Sequence, residues 1–188
     1  MSKKGLRYVA FGKLQNDGTY SQGKHLSPAA SLSGSANISD VKDYGDDRVV
    51  ETDKSVTGGT LSVELNNDED ELYTYLLGHT QTTDGLIKHN ADTDIAPFVG
   101  VGVVGQNGSQ WTAKIYKKVQ FGEPTDENTT KEETVAFSHI TLEGDILIPD
   151  DGEWKLRKSF STLADAKSYV NTTLGVTSAE TGETTGET

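Results

Sequence analysis

The sequence predicts a mainly β protein, a β-sandwich or half-barrel with one or two flanking α-helices, long loops and a long β-hairpin. Three observations predict it. Trp111, Ala113, Ile115, Val119 and Phe121 alternate with Thr112, Lys114, Tyr116, Lys118 and Gln120, which is the period-2 pattern of an extended strand, broken only by Lys117 on the apolar side. Twenty glycines against four prolines suit a chain of many turns. Across the whole chain, stretches that read as strand outnumber those that read as helix by about seven to two.

The elements follow in order. Arg7 to Leu14 forms a first strand whose apolar groups lie on both faces, so both faces are expected to be covered. From Gln15 to Thr57 the chain is polar and rich in Gly, Ser and Asp, with apolar pulses only at Leu26, Leu32, Ile38, Val41, Val49 and Val50. This region is expected to be a long loop or arm carrying short strands near Ala36 to Val41 and Arg48 to Glu51, with an acidic loop between them at Asp43 to Asp47. Leu61, Val63 and Leu65 alternate with Ser62 and Glu64 in a half-buried strand. It feeds a short helix in which Asn67 offers an N-cap, Asp68, Glu69 and Asp70 put negative charge on the first turn, and Gly78 supplies the stop. Leu72, Tyr75, Leu76 and Leu77 give that helix its packing face.

A polar connection with His79 at its start and His89 within it leads to Pro97 and a strand over Phe98 to Val104. Gln106-Asn107-Gly108 then turns the chain into the long strand ending at Phe121. Pro124 to Glu133 reads as a polar loop. Thr134 to Ile148 reads as a strand with a break at Gly144-Asp145, and Pro149 to Gly152 as a tight turn. Trp154, Leu156 and Phe160 alternate in a last strand. Thr162 with Asp165 caps a second helix, with Leu163, Ala166, Tyr169, Val170 and Leu174 as its stripe and Gly175 as its end. Residues 1–176 are therefore expected to be one domain, and 177–188, TSAETGETTGET, a disordered acidic tail with nothing to bury.

Composition narrows the function classes. With no cysteine, thiol chemistry, disulfides and thiolate metal sites are excluded. Nowhere do about eighteen apolar residues follow one another, so no spanning helix is expected and the chain is read as made in the cytoplasm. A net charge of −12, of which −9 remains without the last twelve residues, opposes a surface that grips phosphates. An acidic wall would instead let a duplex slide past.

Motifs that could carry chemistry read more simply. Gly100, Gly102 and Gly105 match G-x-G-x-x-G, but a turn and a second strand follow where a dinucleotide site needs a helix. Glycines that relieve crowding where a neighbour comes close explain the run. His25, His79, His89 and His139 show no ligand spacing in sequence, and Ser138 and His139 point to opposite faces of a strand. Asp43, Asp46 and Asp47, and Asp92 with Asp94, lack the oxygen ladder of a calcium loop and read as solvated turns. With 29 acids some pair always suggests a glycosidase, so no pair counts. No catalytic, cofactor or metal residue is expected.

Seven pieces in order carry a resemblance: KKGLRYVAFGKL, the Tyr-Gly-Asp-Asp segment within Asp43 to Val50, GGTLSVEL with ELYTYLLG, APFVGVGVV, WTAKIYKKVQFGEPTDE, LEGDI, and DGEWKLRKSF with the helix after it. From Lys3 to about Leu174 the chain resembles the major tail proteins of long-tailed, non-contractile phages of Gram-positive bacteria. The resemblance implies a virion structural protein and no enzyme: a tail tube subunit whose hexameric rings stack, with inner strands joined as one barrel around a lumen. DNA would pass through that lumen during ejection without specific binding. The implied partners are other copies of the chain, a tape-measure protein and a tail-tip initiator, with no membrane and no cofactor. Asp43, Tyr44, Asp46, Asp47 and Arg48 become candidates for ring stacking. Lys114, Tyr116, Lys118 and Gln120 become candidates for the lumen wall or an inter-subunit hairpin. Several members carry a further immunoglobulin-like domain, where this chain is expected to end in its acidic tail. The alternative is a stand-alone β-sandwich that binds carbohydrate or a receptor. Such a module needs an exposed aromatic platform, whereas Trp111 and Trp154 read as core.

Overall fold

The computed structural model describes residues 3–45, 48–125 and 139–177. They form β1 (Lys3–Leu14), β2 (Tyr20–Lys24), β3 (Ala29–Gly45), β4 (Arg48–Leu65), α1 (Asp70–Leu76), β5 (Thr80–Gln81), β6 (Ile87–Lys88), β7 (Val99–Asn107), β8 (Gln110–Phe121), β9 (Ile140–Ile146), β10 (Lys155–Phe160) and α2 (Leu163–Leu174). An eight-stranded antiparallel sheet runs β2-β1-β7-β8-β9-β4-β3, with β10 added beside β8. The protein is mainly β with two flanking helices, as its alternation predicts.

The sheet folds on itself because β8 forks. Its residues 111–116 pair with β10, while residues 119–121 pair with β9. Between the two halves the register slips, since Val99 faces Val119 but Val101 faces Tyr116. The extra residue is a β-bulge, and it sits where Lys117 interrupts the apolar alternation. The Lys117 N–H donates to the Trp154 carbonyl at 3.0 Å, and the Lys118 carbonyl accepts from the Leu147 N–H at 2.9 Å. A lysine that breaks the pattern thus marks the point where the strand exchanges one partner for another.

The bulge also exchanges faces. Ala113 and Ile115 join Tyr8, Ala10, Val104, Ala166, Val170 and Leu174 in a layer beneath α2. Tyr116, Val119 and Phe121 join Phe11, Leu61, Val63, Leu65, Val99, Val101, Leu142 and Ile146 inside the curl. Leu72, Tyr75, Leu76 and Leu77 of α1 pack into that second core, so the predicted packing face of the helix is the buried one. Each such buried side chain contributes about 1.5–3 kcal/mol over its exposed state.

Two of the three β7 glycines, Gly100 and Gly102, do what their crowding suggested, whereas a Cβ on Gly105 would meet only the Gly5 carbonyl at 3.7 Å. A Cβ on Gly102 would lie 2.4 Å from Val170 Cγ1, and one on Gly100 would lie 2.4 Å from the Tyr20 ring. α2 therefore rests almost on the backbone of β7. Its ends are as predicted: the Asp165 N–H donates to Thr162 Oγ1 at 3.1 Å, and Gly175 closes the helix in the left-handed region at φ 69°.

Several expectations are corrected. The region 15–57 is no long loop, because β2, β3 and most of β4 occupy it. The N-cap of α1 is Glu69 rather than Asn67, and no side chain caps it. The Asn67 N–H instead donates to Ser27 Oγ at 3.2 Å. β9 runs through Gly144-Asp145 without a break. Gly144 is there because Phe121 and Val119 approach to 2.9 Å of where its Cβ would be. The loop expected over 124–133 and the start of the strand expected at Thr134 lie largely outside the described residues, as does all but Thr177 of the acidic tail.

Candidate assembly surface and a histidine cluster

β3 and β4 pair along their whole length, from Ala29 opposite Leu65 to Gly45 opposite Arg48. Only the lower part of that hairpin belongs to the body, because β9 pairs with β4 only over residues 59–65. Beyond the bulge at Asn37/Ile38 the two strands pair with each other alone. At about 3.4 Å per residue, Ile38 to Gly45 forms an arm of about 24 Å. Its base is marked by Gly59, whose Cβ would lie 2.3 Å from the Ser35 carbonyl. Asp43, Tyr44 and Arg48 lie at the far end of the arm, with Asp43 opposite Glu51 and Tyr44 opposite Val49. Asp46 and Asp47 lie outside the described residues. From Ile38 to Val56 the sequence holds Asp40, Asp43, Asp46, Asp47, Glu51 and Asp53 against Lys42, Lys54 and Arg48.

The sheet's two ends are unlike. β2 is short, and its edge is closed by the end of α2: the Gly23 N–H donates to the Gly175 carbonyl at 3.2 Å, and Gly23 bridges to Val176. β3, seventeen residues long, has no ladder on its outer side among the described residues. Nor does β10, whose inner side pairs with β8 and whose sequence, Lys155-Leu-Arg157-Lys158-Ser-Phe160, is basic. On β3, Gly34 faces inward against the Tyr116 hydroxyl, and Ser31, Ser33 and Ser35 are exposed.

The hairpin candidates on β8 do not share one exposed face. Tyr116 is core, and its burial raises its pKa. Lys114 is half-buried in a cleft with Leu32, Thr112 and Arg157. Lys118 stands 4.6 Å over the Phe98 ring, and Gln120 Nε2 donates to the Ala96 carbonyl at 2.8 Å. β8 is also paired on both sides by its own chain, so it has no edge to offer a neighbour. Trp111 and Trp154 are half-buried against the two cores, as expected of packing residues.

Residues far apart in sequence meet beside α1. His79 Nδ1 lies 2.7 Å from Asp94 Oδ2, and His79 Nε2 lies 3.0 Å from Glu123 Oε2. His89 Nδ1 lies 2.5 Å from Glu123 Oε1. Asp94 is fixed in turn by the Asn90 N–H at 2.8 Å. Burial pulls the His79 pKa down, but its hydrogen bonds to Asp94 and Glu123 outweigh burial and hold it above the ordinary imidazole value. Asp94 is held below the ordinary carboxyl value, first by the Asn90 N–H and then by His79. Sequence spacing could not reveal this group, because 79, 89 and 123 are joined only by tertiary structure.

No protein-family model matches the chain, and no curated protein matches it. Among the described residues no helix is long and apolar enough to cross a membrane.

Proposed function

We propose that the chain is the major tail tube subunit of a long-tailed, non-contractile phage, a structural virion protein and not an enzyme. It self-assembles into stacked hexameric rings that conduct DNA during ejection. The observation that carries this reading is the open edge of β3 on an arm that leaves the body. A two-stranded ribbon is marginal in water by itself, and a long unpaired edge invites another strand. Both become useful in an assembly that supplies the missing partner.

The geometry favours a head-to-tail contact. A ring needs two different surfaces that fit each other. The arm is acidic, the body edge of β3 from Ala29 to Asn37 is uncharged and β10 is basic, so the β3 edge of one copy can meet the β10 edge of the next by strand pairing without charge repulsion. The inter-subunit role expected for β8 passes to β3, and the far end of the arm, with Asp43, Tyr44 and Arg48, reaches the adjacent ring. The net negative charge of the chain suits a lumen that repels the duplex it conducts. A tape-measure protein and a tail-tip initiator complete the partner set.

Negative-stain electron microscopy across concentration, with light-scattering mass alongside, tests the reading. Wild-type protein is expected to give rings or hollow tubes with an axial repeat. Ser33→Lys with Ser35→Lys places charge on the exposed face of the β3 edge and is expected to leave a folded monomer. If that variant builds tubes as readily as the wild type, β3 is not the ring contact. A wild-type chain that stays monomeric even with tail tips added as seed overturns the tube reading.

A further inference from the structure

We propose that His79, His89 and Glu123 form a binding site for one borderline divalent transition-metal ion of the zinc class. One ligand atom from each of the three lies within 4.8 Å of the others. Ligands about 2.0–2.1 Å from a tetrahedral ion stand about 3.3 Å apart, and the 3.0 Å between His79 Nε2 and Glu123 Oε2 is close to that spacing. Two imidazoles with one carboxylate suit zinc, nickel or cobalt, whereas magnesium and calcium ask for oxygen alone. His89 and Glu123 are about half exposed, so a fourth position stays open to water.

The second observation is Asp94. A metal-bound histidine ordinarily donates its other ring N–H to a carboxylate, which fixes the tautomer and aims the free lone pair at the ion. His79 has this arrangement: Nδ1 against Asp94 at 2.7 Å, with Asp94 itself held by the Asn90 N–H, and Nε2 turned toward Glu123. The His79 and Asp94 side chains are nearly buried, at 9% and 7% exposure, so this orientation is built into the fold. Tyr73 of α1 walls the site, its ring 6.3 Å from that of His79 and 5.6 Å from that of His89.

The ion would clip the connection between α1 and β7 to the residues that follow β8. That connection carries Leu86 and Ile95, two of the exposed large apolar side chains of the described residues. The site is independent of the assembly reading: either can fail without the other.

The test uses the full-length chain stripped with chelator and titrated calorimetrically with zinc, nickel, magnesium and calcium, with cobalt absorption as a spectroscopic readout. Expected are one zinc or nickel ion per chain, a tetrahedral cobalt spectrum, and no heat with magnesium or calcium. His89→Ala removes an exposed ligand without touching the core, and should weaken zinc at least tenfold while the metal-free melting temperature is unchanged. Asp94→Asn keeps every ligand and should still weaken zinc about 10–100-fold, as a positioning residue does. His139→Ala, whose ring pairs with Glu64 and not with the cluster, should bind as the wild type does. Zinc no tighter than millimolar, or affinity equal in the wild type, His79→Ala and His89→Ala, overturns the site.

Discussion

Replacing Gly102 by alanine tests how closely α2 lies on the sheet. The new Cβ would lie 2.4 Å from Val170 Cγ1 and 2.8 Å from Leu174 Cδ1, where carbon atoms in contact are about 3.5–4.0 Å apart. Both neighbours are fully buried, so neither can turn into solvent. Overpacking of this kind costs about 1–3 kcal/mol, and a stiffer unfolded chain returns about 0.4–1 kcal/mol, leaving a net loss of about 1–2 kcal/mol. Val170→Ala removes the nearer obstacle at its own cost of about 2 kcal/mol for two buried methyls. If the contact is the cause, the double variant should be more stable than the sum of the single losses by about 1 kcal/mol. Urea unfolding of dilute protein, followed by far-ultraviolet circular dichroism, measures all four corners of the cycle. Additive losses, or a Gly102→Ala variant as stable as the wild type, would refute the close approach of helix and strand.

Alkaline pH should destabilise the body through Tyr20. Its hydroxyl donates to the Lys117 carbonyl at 2.8 Å, and burial, with Asp151 nearby, pushes its pKa up to about 12. A folded pKa above the unfolded value of 10.0 contributes stability that is complete below pH 10 and is lost as pH rises through the folded value. The melting temperature should therefore fall between about pH 10 and 12, and fall less in Tyr20→Phe; equal slopes for the two proteins would remove Tyr20 as the cause. A second change acts on the arm. Joining Ile38 to Val56, which stand opposite each other, through an Asn-Gly turn removes the arm while keeping every residue of the two cores described above. Thermal unfolding should be unchanged and tubes absent by electron microscopy, and normal tubes from this variant would remove the arm from ring stacking.

The parts of the fold that the sequence revealed are those where one residue type has one physical use. Thr162, Asp165 and Gly175 bound α2 because a hydroxyl cap and a left-handed stop have few substitutes. Gly100 and Gly102 announced a close neighbour, though not that it is α2. Lys117 announced an irregularity, but the bulge and the change of partner it marks needed the paired strands to be seen. β3 and the outer half of β4 were legible only as the short strands expected at Ala36 to Val41 and Arg48 to Glu51, and their full length escaped for a physical reason. Sequence periodicity records packing against a core, and beyond Asn37 these two strands pair with each other alone. The histidine group escaped because its members come from separate segments, and Asp94, read as a solvated turn residue, gains its meaning only from His79.

The arm and the β7 glycines answer the same problem at opposite ends of the sheet. Where α2 covers β1, β7 and β8, every strand has a partner on both sides, and small residues let the helix seal the layer at backbone distance. The β2 edge is closed by the residues that end the same helix. Among the described residues, the strands of the main sheet that lack a ladder on their outer side are β3 and β10. A stand-alone domain would be expected to shorten or cover a seventeen-residue edge, as this chain does at β2. A polar edge that is neither short nor covered among the described residues, joined to an acidic arm and accompanied by a basic strand in the same sheet, is what the proposed assembly, in which copies complete one another's sheets, would use.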